Sequence, residues 1–114
     1  MSLNTLILTG NLGSNPRFAL TTTGKQKASF SLATSRLFRG QKHTEWTPIV
    51  LWGNLATRAE KLLTKGQAVL IHGEKRTRSY TDTHGVERQV VELVASDFQI
   101  LTRKQAESRE EAAQ

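Results

Sequence analysis

One stretch alone, Asn54 to Gly66, repeats its apolar residues at helical spacing. Leu55, Ala59, Leu62 and Leu63 recur along one side, with Arg58, Glu60 and Lys61 on the polar side. Asn54 suits the N-cap, Lys65 the negative end of the helix dipole, and Gly66 a left-handed stop. The remaining apolar residues follow β rather than helical patterning. The single helix therefore divides a β-patterned chain, three strands before it and two after, and few folds accept that order.

The strands read as follows. Leu3 to Gly10 is β-rich, and Gly10 and Gly13 suit a bend or bulge in a strongly curved strand. Pro16 marks a turn, and TTTGKQK (21–27) is a loop centred on Gly24. Lys25 to Thr34 alternates, with Ala28, Phe30 and Leu32 on one side and Lys27, Ser29 and Ser31 on the other. RLFRGQKHT (36–44) is polar and basic and reads as a connection, although Leu37 and Phe38 are unusual there. Glu45 to Trp52 is the third strand. Its residues Trp46, Pro48, Val50 and Trp52 face one way, and Thr47, Ile49 and Leu51 the other. Pro48 donates no ladder hydrogen bond, which places this stretch at an edge or bulge. Gln67 to Tyr80 and Glu87 to Leu101 form a long hairpin about the turn at residues 83–85. This order fits an all-β fold with one helix, a five-stranded OB barrel carrying its helix between strands three and four; an α+β sandwich is the alternative. The expected domain is 1–102, with 103–114 a disordered tail, since that stretch lacks apolar periodicity.

The chain has 16 Lys and Arg against 10 Asp and Glu, a net charge of +6. From Arg103 onward, three basic and three acidic residues cancel, so residues 1–102 carry the excess. A folded domain this basic implies a polyanionic partner, nucleic acid first and an anionic membrane second. The absence of cysteine excludes disulfides and thiolate sites and fits a reducing compartment. The N-terminus has no basic stretch followed by a long apolar run, and no segment approaches the roughly 20 apolar residues of a membrane helix. We expect a cytoplasmic protein that needs no membrane.

No catalytic constellation stands out. His43, His72 and His84 lack metal-ligand spacing, so no metal or cofactor is expected. Gly24-Lys25 lacks the spacing of a phosphate-binding loop, and Glu87 and Glu92, five apart on a strand, fall on opposite faces. The other constellation is aromatic and basic. Phe38 lies beside Arg36 and Arg39, Trp46 and Trp52 share a face, and Tyr80 follows Arg76 and Arg78. Stacking a nucleic-acid base on a ring contributes about 1–3 kcal/mol and tolerates any base, while arginines follow the backbone charge. Taken singly, each ring also fits a structural role: Phe38 as a plug at the barrel end, the tryptophans in a core or interface, Tyr80 as a cross-strand partner. Taken together, with basic or polar residues beside each, they are harder to explain as core. Phe30 and Phe98 lack such company and are assigned to the core.

At this point the sequence resembles a family, the bacterial single-stranded DNA-binding proteins. The resemblance rests on NTLILTGNLGSNP, ASFSLATS, TEWTPIVLWGNLA, LLTKGQAVLIHGEKRTRSYTD and VVELVASDFQIL, and spans residues 4–101. It implies an OB barrel, a homo-oligomer with a tetramer favoured over a dimer, and four rings that stack on bases: Phe38, Trp46, Trp52 and Tyr80. It also implies phosphate contacts from Arg39, Lys65, Arg76 and Arg78, to which Arg36 is added here from its place beside Phe38. Asn54 and Ser79 stand where some relatives carry lysine. The family's acidic tip, which recruits repair and replication enzymes, has no counterpart in REEAAQ, so such recruitment is not expected. Service in replication, recombination or repair follows from the resemblance. The alternative is a tail-less primosomal protein of the same fold, acting as a dimer in replication restart; a protein-interaction module of this fold has the charge and the rings against it.

Overall fold

A computed structural model describes residues 2–101. The expected tail, 103–114, lies outside them. In chain order the elements are β1 (Leu6–Leu12), β2 (Arg17–Leu20), β3 (Gln26–Phe38), β4 (Gln41–Trp52), α1 (Asn54–Leu62), β5 (Ala68–Thr81) and β6 (Glu87–Ile100). The sheet runs β1-β5-β6-β4-β3-β2, and a further β1–β3 pairing closes five of these strands into a barrel. The helix falls between the third and fourth barrel strands, as expected of an OB fold. Neighbouring strands are antiparallel except β4 and β6, which pair in parallel at Ile49↔Leu93 and Val50↔Val94.

Closure is local. β1 meets β3 through Asn11↔Ala33 and Leu12↔Leu32 only, while β2 takes the same edge of β3 farther along, from Arg17↔Ser29 to Leu20↔Gln26. β1 and β2 are thus one bent strand broken at residues 13–16, and the Gly13 N–H spans the break by donating to the Ser31 carbonyl at 2.8 Å. β2 was not anticipated; its four residues are too few to show a period. At Gly10 the two strands come so close that a Cβ would overlap the Ala33 carbonyl oxygen, so only glycine lets the barrel close there.

The inward rows form one core. Ala28, Phe30 and Leu32 of β3 meet Ile49 and Leu51 of β4, Val69 and Ile71 of β5, Leu93 and Phe98 of β6, and Ala56, Ala59 and Leu63 from the helix segment. Burying each large aliphatic side chain contributes about 1.5–3 kcal/mol relative to exposure. The helix is also fastened outside the core: Arg58 donates to Asp97 at 3.1 Å and lies 5.0 Å from the Phe98 ring centre.

Four expectations need correction. Residues 36–44 are not a connection: β3 and β4 pair without interruption from Lys27↔Trp52 to Phe38↔Gln41, around a two-residue turn at Arg39 and Gly40. Both turn residues have positive φ, 52° and 78°, the twist that suits a tight hairpin. Arginine in the first place hid this turn, because it lacks the Asn-Gly or Asp-Gly signature. Asn54 does not cap the helix. Gly53 holds the cap position with no side-chain hydrogen bond, and Asn54 is already helical. Gly66 does not end the helix, which stops at Leu62 with Leu63 extended; Gly66 lies in the following turn and its N–H donates to the Leu12 carbonyl at 2.8 Å. Leu62, assigned to the apolar side, is exposed, and Ala56 is buried instead.

Pro48 is also better defined. It sits within the β3 ladder, opposite Ser31. Because the Ser31 carbonyl is taken by Gly13 and the Gly53 N–H reaches Gln26, the alternation puts Pro48 at a non-hydrogen-bonded position toward β3. Its missing N–H costs that ladder nothing. It faces the β6 side, where pairing begins only at Ile49.

Two outcomes follow. Gly10→Ala should destabilise the barrel by roughly 1–3 kcal/mol in urea unfolding, since backbone rather than a side chain must move. At the β5–β6 turn, Asp82 accepts from Arg88, Val86 and His84, and the Arg88 guanidinium, followed by the Val86 N–H, lowers its pKa from the ordinary 3.8. A lowered folded pKa means a contribution complete above the unfolded value and lost as pH falls through the folded one. Protection factors of the His84 and Val86 amides, taken against their intrinsic exchange rates, should therefore fall as pH drops through the acidic carboxylate range, ahead of the core, and Asp82→Asn should remove that pH dependence.

Candidate nucleic-acid interface

The strand alternation that fills the core also builds an outer face. Pro48 and Val50 of β4, with Lys27, Ser29 and Ser31 of β3, form the floor of an open groove, and Trp46 and Trp52 lie at either end of the same outward row of β4. Arg78 of β5 and Glu92 of β6 form one wall; Asn15 and Arg17, brought over by the β1–β2 bend, form the other. Val50 is outward-facing yet buried, because these walls cover it.

The rings expected to stack are available for stacking. Phe38, Trp46, Trp52 and Tyr80 are 52%, 60%, 41% and 45% exposed, against 5% and 8% for Phe30 and Phe98, which are core residues as expected. Three of the four carry a cation. Lys27 Nζ lies 5.5 Å from the Trp52 ring centre, and Arg78 lies 5.9 Å from Tyr80. Arg39 and Arg36 lie 5.3 and 5.9 Å from Phe38, whose edge also meets His43 at 6.2 Å. A cation within about 6 Å of a ring is attracted to its face.

The structure does not gather all these residues into one patch. Trp46 and Trp52 flank the groove floor. Tyr80 continues the Arg76-Arg78 row along β5. Phe38, by contrast, shares its row with Ala28, Phe30 and Leu32, because the β3–β4 register has no bulge to change faces. With Arg36 and Arg39 it forms a separate cluster at the tip of the β3–β4 hairpin. Lys65 lies past the helix; its backbone N–H donates to Asn15 Oδ1 at 2.8 Å, which ties it to the rim of the groove without placing it inside. Arg17 and Lys27, by contrast, line the groove and were not singled out from the sequence. Lys27 was legible with Ser29 and Ser31 on the outer side of its strand, but no aromatic neighbour in sequence marked it, and Arg17 belonged to an unrecognised strand. Among the described residues no cluster of His, Asp and Glu could hold a metal.

Comparison with known proteins agrees with this geometry. The model of the single-strand binding protein family matches residues 3–101. Single-stranded DNA-binding protein 1 of Chlorobaculum tepidum is 39% identical over 108 residues, covering 90% of this chain and 67% of that protein. The single-stranded DNA-binding protein of Bacteroides thetaiotaomicron is 37% identical over 113 residues, 93% of this chain and 70% of that one. A solved structure of Plasmodium falciparum SSB in complex with ssDNA matches with a TM-score of 0.82 at 31% identity, over 90% of this chain and 97% of that chain.

Trp46 owes its position to a missing side chain. A Cβ on Gly13 would overlap the end of the Trp46 indole, so the ring rests directly on the β1–β2 bend. Gly13→Ala should push the indole off this seat. We expect greater acrylamide quenching of tryptophan fluorescence with little loss of thermal stability, since a side chain rather than backbone yields.

Proposed function

The chain belongs to the single-strand binding protein family, and on that footing we propose that it binds single-stranded DNA with little regard to sequence. The strand follows the outer face of the barrel. Bases stack on Trp46 and Trp52, on Tyr80, and on Phe38 at the hairpin tip. Phosphates are met by Arg36, Arg39, Lys65, Arg76 and Arg78, joined by Arg17 and Lys27 of the groove. The observation that carries this reading is a groove with cationic side chains on both walls, flanked along the same face of β4 by two exposed indoles. Members of the family bind DNA and do not transform it, so no catalytic role is assigned. Protection of exposed strands during replication, recombination or repair is the corresponding cellular role, in a cytoplasmic or nucleoid setting. No helix among the described residues is long and apolar enough to cross a membrane.

A homo-oligomer accompanies this reading, with a tetramer preferred. β1 pairs with β5 along Leu6–Asn11, but with β3 only at Asn11 and Leu12. Among the described residues its second edge is unpaired from Leu6 to Thr9, and Ile7 there is exposed. An unpaired edge beside apolar surface is suited to another strand. The primosomal alternative is not favoured, since the relatives found are single-stranded DNA-binding proteins.

Titration with oligo(dT) should quench tryptophan fluorescence, and log K should fall by about 0.7 per phosphate contact for each tenfold rise in salt. No quenching at low salt would refute the reading. Trp46→Ala and Trp52→Ala should each weaken binding by about 1–3 kcal/mol while leaving the melting temperature and native mass in place. Unfolding or dissociation of the oligomer would mark the indoles as structural instead.

A further inference from the structure

Strand binding as proposed above relies on Arg76 and Arg78, yet both guanidiniums are already engaged by carboxylates. Arg76 reaches Glu74 Oε1 at 2.8 Å, and Arg78 Nε reaches Glu92 Oε1 at 3.4 Å. The two acids differ in freedom. The Glu74 side chain is 45% exposed and can turn into water, whereas that of Glu92 is 11% exposed and set in the groove wall beside Val50. Glu92 is the one buried charged residue among those described. By contrast, Arg17 and Lys27 line the same groove and make no ion pair among the described residues.

Resting on the strand-binding reading, we propose that Glu92 is a resident competitor for phosphate: it occupies Arg78 and holds down the affinity of the groove for single-stranded DNA. A phosphate that reaches Arg78 has two courses. It displaces Glu92, which leaves a largely buried carboxylate without its cation, an unfavourable state. Otherwise it approaches with Glu92 still attached and meets like charge at close range. Either course weakens the contact. Arg17, Lys27 and the hairpin-tip arginines carry no such penalty, so they supply most of the phosphate attraction. Glu92 thus acts through Arg78 as a positioning residue.

The test compares the native full chain, Glu92→Gln, Arg78→Gln and the double variant, each titrated with an oligo(dT) across a salt series. Glu92→Gln should bind about two- to fivefold more tightly, the range of one weak surface ion pair released. Its salt slope should steepen by about 0.7, the signature of one more phosphate contact. Arg78→Gln should cost more in the Glu92→Gln background than in the native one. Equal or weaker binding with an unchanged slope, or equal costs of Arg78→Gln in both backgrounds, overturns the proposal. Should Glu92→Gln fail to fold, Glu92→Asp keeps the charge but withdraws it; affinity above native supports the proposal, and native affinity overturns it. Native protein that binds dT while the variants show no such change leaves the strand-binding reading standing. Native protein that does not bind removes that reading itself.

Discussion

The structure depends on one short contact, the closure of β1 onto β3 through Asn11↔Ala33 and Leu12↔Leu32. An open sheet would present two faces of equal standing. Closure makes one face an interior, and strand alternation then sorts the barrel stretches of β3 and β4 between an inward and an outward row. Gly10 permits the approach. The chain beyond must then bend, because β2 continues on the same edge of β3. That bend brings Asn15 and Arg17 to the groove rim and seats the Trp46 indole on Gly13. The core and the groove are two sides of the same strands.

Charge acts unevenly over this surface. Arg36, Arg39 and Lys27 sit over ring faces, where a stacked base would meet them. Arg76 instead pairs with Glu74 on its own strand, and Arg78 with Glu92 across on β6. The excess of positive charge therefore overstates what is free to meet a phosphate. Exposed pairs such as Arg76–Glu74 contribute little to stability.

Much of the fold was legible because its signals are local. The alternation of Ala28, Phe30 and Leu32, the single helical segment and the turn of the long β5–β6 hairpin each declare themselves within a short stretch of chain, and together they imply the barrel. Misjudged elements were those decided by a neighbour. Arg39 at the head of a tight turn made 36–44 resemble a loop, although the long β3–β4 ladder carries that turn. Gly66 resembled a helix stop, but Leu63 leaves the helix earlier to fill the core.

The sequence by itself determined the succession of the main strands and the helix along the chain and the inward and outward rows of β4, since period and composition are properties of the chain alone. It also placed the basic excess in the folded domain. Tertiary structure decided which outward residues meet. It brought Arg17 and Lys27 beside Trp52 and Val50, put Glu92 against Arg78, and left Phe38 on the opposite row from the tryptophans. These relations depend on register and closure between segments far apart in the chain. Register is set by how whole strands fit against one another, and no single stretch of sequence carries it.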